Sequence, residues 1–348
     1  MKIEVKTQRP YIVTVENESL DQVGTIAAQL KKVGTKAMLI TETNVMPLYG
    51  QRVLASLESA GFETSRFVFP AGEENKKMET IMSMYMALAQ SGFTRTDLIV
   101  TLGGGVTGDM GGFAAATFLR GMDFIQVPTS LVAQADASIG GKTGVDLPFG
   151  KNLVGAFHQP IAVISDPTAL STLPNHFFND GLGEVIKHGC IADPELFASL
   201  EQGAALDNIE QVVARSVSIK RDFVEADTRD TGRRMILNFG HTCGHALEKL
   251  HQFRELSHGE AVGIGMVLAC QAGERLGITR SGTGKRIAQV LERYGLPTST
   301  QFRADEIVES TALDKKSDGD TLRFIFIKEI GESVISPITR EELRRALK

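Results

Sequence analysis

Over the first half of the chain, short β-branched and aromatic runs alternate with segments of helical periodicity. The runs lie at residues 37–40, 66–69, 98–102, 124–128 and 161–165, and their alternation with helices predicts a mostly parallel sheet covered by helices. Between two of them, residues 75–90 carry Met78, Ile81, Met82, Met84, Tyr85 and Leu88 at helical spacing. This predicts a helix packed on the sheet, with the methionine stripe as core. The rhythm changes after Asp166-Pro167. Long amphipathic segments follow at 176–191, 194–201, 206–225, 241–249, 258–276 and 285–293, and they predict a mainly helical second domain. Near the end, 322–327 and 333–336 read as a hairpin around Gly331, followed by a helix from Thr339. The expected fold is α/β, with a sheet domain over residues 1–166 and a helical domain over 167–348.

A chain of 348 residues is long enough for two cores. Its net charge of −5 comes with both signs interspersed, no block of like charges and no aromatic-basic patch. Nucleic acid and an anionic membrane are therefore not expected as partners. Residues 1–6 lack the apolar core of a signal peptide, and no apolar stretch reaches the ~18 residues that a membrane span needs. The expected location is the cytoplasm. Cys190, Cys243 and Cys270 are scattered without metal-type spacing and read as buried thiols.

The first candidate for chemistry is Gly103-Gly-Gly-Val-Thr-Gly-Asp109, which joins an apolar run to a helical segment. Such a turn holds phosphate through backbone N–H groups at a helix start. It lacks the G-x-G-x-x-G of the dinucleotide fingerprint and the Gly-Lys-Ser/Thr of a P-loop, so a purely structural strand-to-helix turn stands beside the nucleotide reading. The second is a cluster of histidines, five of the seven lying between positions 188 and 258. His241 and His245 share a helical face, His258 opens another helical segment, and Glu184 offers an oxygen. Two imidazoles and a carboxylate suit a divalent metal with an open position, whereas helix capping or core hydrogen bonding is the plainer reading. Thr242 stands where a zinc protease needs its glutamate, which disfavours peptide hydrolysis. Third come Arg120, Lys142, Lys151, Lys187, Lys220 and Arg234, the first three beside glycine, asparagine or threonine, and all outside obvious solvated helix faces. Singly they are surface charges, and jointly they suit a small polyanion. Asp136, a carboxylate in an apolar stretch, needs a partner.

Read in order, these segments resemble the 3-dehydroquinate synthase family of sugar phosphate cyclases over nearly the whole chain. The resemblance rests on Gly103–Asp109, Gln126-Val-Pro-Thr-Ser130, Ser138-Ile-Gly-Gly-Lys-Thr-Gly-Val-Asp146, Lys151-Asn-Leu-Val-Gly-Ala-Phe157, Gly183-Glu-Val-Ile-Lys-His188, Leu237-Asn-Phe-Gly-His-Thr-Cys-Gly-His-Ala246 and His258-Gly-Glu-Ala-Val262. It implies a Rossmann-like N-terminal domain, a helical C-terminal domain, an active site between them and a homodimer. It assigns one divalent metal, usually zinc with cobalt as the alternative, to Glu184, His241 and His258, and it moves His245 into the substrate pocket. NAD falls to Glu42, Asn44, Glu73, Lys76, Gly104, Gly105, Asp109, Thr129, Ser130, Lys142, Lys151, Ala169 and Thr172. The substrate set is Asp136, Lys142, Asn152, Lys187, Lys220, Arg234, Asn238, His245 and one of Lys315 or Lys316, with Arg120 reaching a neighbouring subunit's site.

The implied reaction takes 3-deoxy-D-arabino-heptulosonate 7-phosphate to 3-dehydroquinate and phosphate, in the shikimate pathway to aromatic amino acids. It runs by transient oxidation by NAD, phosphate elimination, re-reduction, ring opening and aldol closure. The resemblance gives phosphate to Lys142, Asn152, Asn238 and His245, and carboxylate to Lys220 and Arg234. The family more often has glutamate at positions 228 and 230, where this chain has Thr228 and the shorter Asp230. Competing readings are a cyclase for a sugar phosphate without a carboxylate, a metal-dependent polyol dehydrogenase that would release NADH, and an NAD-binding protein with a silent pocket.

Overall fold

The computed structural model describes residues 1–32, 34–148, 150–311 and 321–348; Lys315 and Lys316 lie outside them. The chain forms two compact units, Met1–Leu173 and Pro174–Lys348. The 3₁₀ turn Pro167–Thr172 thus falls in the first unit rather than the second. Asp166 is the physical reason. Its carboxylate accepts from the N–H of Thr168 (3.0 Å) at the turn and from those of Glu18 (2.9 Å) and Leu20 (3.1 Å), which ties the turn back to the start of the chain.

The first unit is built on a seven-stranded sheet. Its strands are β1 (Lys2–Val5), β2 (Tyr11–Val15), β3 (Lys36–Glu42), β4 (Glu63–Phe69), β5 (Leu98–Gly103), β6 (Asp123–Pro128) and, beyond a separate hairpin of β7 (Lys142–Leu147) and β8 (Gly150–Phe157), β9 (Ala162–Ser165). The order is β1-β2-β9-β6-β5-β3-β4, with only the β1–β2 pair antiparallel. Helices α1 (Val23–Leu30), α2 (Gln51–Ser59), α3 (Met78–Gln90) and α4 (Gly105–Thr117) complete the unit. Leu39, Val100, Leu102, Ile125 and Val127 pack with residues of α1 and α2, while Met38, Ile40, Ile99 and Phe124 pack with residues of α3 and α4. Burial on both faces explains the continuous apolar strands. The methionine stripe is only partly core. Ile81, Met84 and Leu88 are buried, but Met82 is 55% exposed because it lies about 100° around the helix from Ile81.

The second unit is mainly helical: α5 (Asn175–Ala192), α6 (Pro194–Gln202), α7 (Ile209–Ala226), α8 (His241–Leu250), α9 (His258–Arg275), α10 (Thr283–Arg293) and α11 (Ala304–Ser310). The antiparallel hairpin β10 (Thr321–Glu329) and β11 (Glu332–Thr339) and the closing α12 (Arg340–Leu347) follow. Glycine lets α5 and α9 meet at backbone distance, since a Cβ on Gly259 would stand 1.9 Å from the Asp180 carbonyl oxygen. Gly240, at φ 82°, supplies the left-handed residue that starts α8. Among the described residues no helix is long and apolar enough to cross a membrane. All three cysteines are buried and free.

Candidate active site

In the first unit, β4 lies on one side of β3, whereas β5, β6 and β9 continue on the other. The chain therefore reverses its direction of sheet growth between β3 and β5, and the carboxyl ends of strands at such a switch are where open α/β sheets bind ligands. Glu42 ends β3, and Gly103 ends β5. Gly104 is the residue before α4, and Thr129 and Ser130 follow β6, with the Thr129 N–H donating to the Gly103 carbonyl at 2.9 Å. A Cβ on Gly104 would approach Ser130 Oγ to 3.3 Å, so a side chain there would crowd Ser130. Gly105 and Asp109 lie on the first turns of α4. Glu42 accepts from the N–H groups of Asn44 (2.6 Å) and Val45 (3.0 Å), which shapes the loop after β3. Tyr49 O–H contacts the Ala169 carbonyl (3.0 Å) and Thr172 Oγ1 (2.6 Å), joining two of the residues assigned to NAD.

Lys76 ties this region together. Its buried ammonium donates to Asp109 Oδ2 and Asn152 Oδ1, both at 2.7 Å. Burial works against the charge, but the Asp109 and Glu73 carboxylates outweigh it and hold the Lys76 pKa above its ordinary value. Asp146 in turn accepts from the Asn152 N–H at 2.7 Å and so supports the left-handed backbone of Asn152, φ 53°. Lys142 and Lys151 lie on the hairpin, the first exposed and the second half-buried, and Asp136 is half-buried in the turn Ala133–Ala137. Arg120 is exposed and left-handed, φ 67°, directly after Leu119 at φ 51°. Two such non-glycine residues in succession cost about 1–3 kcal/mol each and persist where the surroundings impose them.

In the second unit, three helices bring Glu184 of α5, His241 at the start of α8 and His258 at the start of α9 into one cluster. Their ligand atoms lie within 4.8 Å of one another. Glu184 Oε1 is 3.4 Å from His241 Nε2 and 3.2 Å from His258 Nε2, and its other oxygen pairs with the buried Lys187. His241 Nδ1 lies 3.2 Å from the Phe239 carbonyl, which can only accept; with the proton on that nitrogen, Nε2 would present its lone pair. Burial holds His241 well below its usual range despite Glu184. Burial acts the same way on His258, but the nearby Glu184 and Glu248 carboxylates outweigh it and push the imidazole up to about 10.

Lys187 and Arg234 are 1% exposed and Lys220 6%, so the surface-charge reading does not hold for these three. Arg234 is held by its Nη1 donating to the Thr228 carbonyl (3.0 Å) and by its N–H on Asp227 Oδ2 (3.2 Å), which also accepts from Gly232 (2.7 Å). Asn238, His241 and His245 line a cavity of about 80 Å³ together with Arg323 of β10. The rings of His241 and His245 stand 5.3 Å apart, as their spacing along one helical face requires.

Sequence reasoning missed Glu248, Arg323, Tyr49 and Asp146. Glu248 was within reach, because it continues the His241 and His245 face of α8 by one more turn; the others carry no spacing signal.

The fold is that of the sugar phosphate cyclases. The structure of 2-epi-5-epi-valiolone synthase from Streptomyces hygroscopicus subsp. jinggangensis, with NAD+ and Zn2+ bound, superimposes with a TM-score of 0.88 at 27% identity, covering 100% of this chain and 98% of that one. A 2-deoxy-scyllo-inosose synthase in complex with carbaglucose-6-phosphate, NAD+ and Co2+ gives 0.89 at 23% identity, covering 100% and 99%. Within that group, the models for the 3-dehydroquinate synthase N-terminal and C-terminal regions match residues 66–180 and 181–317. The 3-dehydroquinate synthase of Clostridium acetobutylicum is 44% identical over 98% of this chain and 97% of its own length. This chain belongs to the 3-dehydroquinate synthase family.

Proposed function

We propose that this chain converts 3-deoxy-D-arabino-heptulosonate 7-phosphate into 3-dehydroquinate and phosphate, using NAD catalytically and one divalent metal, zinc or cobalt. The observation that carries the reading is one unit that holds both a carboxylate-diimidazole donor set and three buried cations, Lys187, Lys220 and Arg234. A polyol dehydrogenase of related fold has no need of the cations. The donor set fits a metal because its atoms lie within 4.8 Å and His241 offers a neutral Nε2. The first unit fits NAD because a glycine turn without side chains opens α4 at the switch of the sheet, with the Glu42 carboxylate at the neighbouring strand end. We assign Asn44, Glu73, Lys76, Gly105, Asp109, Thr129, Ser130, Lys142, Lys151, Ala169 and Thr172 to the same cofactor.

When bound, NAD supplies reversible hydride acceptance and the metal polarises the hydroxyl whose carbon is oxidised. The protein's part is to hold everything else still. Arg234, pinned through Thr228 and Asp227, presents a planar guanidinium suited to a carboxylate, with Lys220 as the second cation. Lys187, paired with Glu184, is assigned to a substrate oxygen. Lys142, Asn152, Asn238 and His245 are assigned to phosphate, so the leaving group departs onto donors that do not need to reorganise. Asp136 is assigned to the substrate hydroxyls. The exposed, strained Arg120 is assigned to a neighbouring subunit's site, which makes a homodimer the working assembly, and the cytoplasm is its proposed location.

The test is substrate discrimination by the zinc-loaded protein with NAD. Phosphate release from the heptulosonate phosphate should exceed that from glucose 6-phosphate or sedoheptulose 7-phosphate by at least about 10²-fold, as two charge-assisted contacts to the carboxylate require, and a chelator should abolish it. Equal turnover on a carboxylate-free sugar phosphate would overturn the substrate assignment.

A further inference from the structure

The Glu184, His241, His258 donor set overlaps a second one, His245, Glu248 and His258. The two sets share His258, but they use opposite edges of its ring. Nε2 lies 3.2 Å from Glu184 Oε1, whereas Nδ1 lies 3.6 Å from Glu248 Oε1. One imidazole cannot turn both nitrogens to one ion, so one carboxylate belongs with the metal and the other behind the ring. His241 shows which. Its Nε2 faces the same Glu184 oxygen at 3.4 Å, while its Nδ1 lies against the Phe239 carbonyl. Both histidines therefore turn Nε2 toward Glu184 and set Nδ1 against an acceptor, a carbonyl in one case and the Glu248 carboxylate in the other. The Glu248 side chain is 2% exposed and stands two turns after His241 on α8. One helix thus carries both a donor and the group behind the next donor.

We propose that Glu248 is a positioning residue: its carboxylate accepts from His258 Nδ1–H and holds the ring with Nε2 toward Glu184 and His241, without ligating the metal itself. The inference rests on the metal reading above. An acceptor of this kind fixes the tautomer, fixes the ring plane and raises the basicity of the ligating nitrogen, and its loss typically lowers metal affinity about 10- to 100-fold. Since a carboxylate is a stronger acceptor than an amide, Glu248→Gln should lie between the parent and Glu248→Ala.

The experiment titrates Co2+ into the metal-stripped full-length protein and reads stoichiometry, affinity by chelator competition and the visible d–d absorption. The parent should bind one Co2+ per chain. Glu248→Gln should keep that stoichiometry with affinity about 10-fold weaker, and Glu248→Ala about 100-fold weaker with an altered band. Circular dichroism and Tm of the metal-free proteins separate this from misfolding, and Glu248→Asp, which keeps the carboxylate, serves as the conservative variant and should recover affinity over Ala. Affinities of Gln and Ala within twofold of the parent would overturn the role. Two Co2+ per parent chain and one per Glu248→Gln chain would make Glu248 a ligand and overturn it too. No Co2+ uptake by the parent would overturn the metal reading itself, and with it this inference.

Discussion

At the strand ends of the first unit, the groups proposed to meet a ligand include the backbone of a glycine turn at the start of α4, beside side chains such as those of Glu42 and Ser130. In the second unit they are side chains on α5, α8 and α9, brought together by helices that approach at glycine. The first arrangement depends on what is missing at Gly104, the second on what is present at Glu184, His241 and His258. One should therefore be damaged by adding atoms and the other by removing them. The supporting networks differ in the same sense. Lys76 joins Asp109 to Asn152 by neutralising a partly exposed carboxylate, whereas Glu184 and Lys187 are both almost wholly buried, where charge is tolerated only because it is paired.

The sharpest break of the comparison is Glu184→Gln. It keeps shape and removes one anionic donor, so turnover should fall at least about 10³-fold and metal content, read by atomic absorption, should fall with it. Retention of full metal occupancy would reject Glu184 as a ligand. Next is Gly104→Ala. The backbone there, φ −73° and ψ −171°, accepts alanine, so Tm should move little while NAD affinity, read by calorimetry, drops about 10-fold because the methyl crowds Ser130, a residue assigned to the cofactor. A large loss of Tm with NAD affinity intact would reverse the reading.

The smallest effect concerns pH and stability. Burial tends to raise the Asp97 carboxyl, but hydrogen bonds from Thr94 and Lys36 outweigh it and hold it below its ordinary 3.8. A depressed carboxylate stabilises the fold fully above 3.8 and loses that contribution as pH falls through its folded value. Asp97→Asn should cost about 1 kcal/mol in urea melts at pH 7, a difference that shrinks below pH 3.8. A pH-independent difference would show that the charge plays no part.

How much was legible follows from where each signal resides. Strands β3, β5, β6 and β9 announce themselves because burial on both faces makes them largely apolar, whereas the edge strand β4 buries only Phe69 and shows only its last stretch, 66–69. The hairpin of β7 and β8 does not, since β8 buries none of its residues and carries glycine where apolar side chains would speak. The histidine spacing and Glu184 pointed to a metal, yet spacing on α8 favoured His245 equally with His241. Only the crossing of three helices distinguishes the donor set with Glu184 from that with Glu248, and no local pattern records a crossing. The glycine turn was ambiguous for a related reason: its meaning lies in the reversal of strand order between β3 and β5, which depends on long-range pairing. Burial of Lys187, Lys220 and Arg234 was likewise hidden, because residue type alone predicts exposure for lysine and arginine.

The reading of this chain as a cyclase has one direct test. The zinc-loaded protein is supplied with the heptulosonate phosphate and NAD at about a hundredth of the substrate concentration, while phosphate and absorbance at the NADH wavelength are followed together. A cyclase that borrows a hydride and returns it releases one phosphate per substrate to completion with no net NADH. Phosphate release that stops when NAD is consumed, with NADH accumulating in proportion, would contradict it.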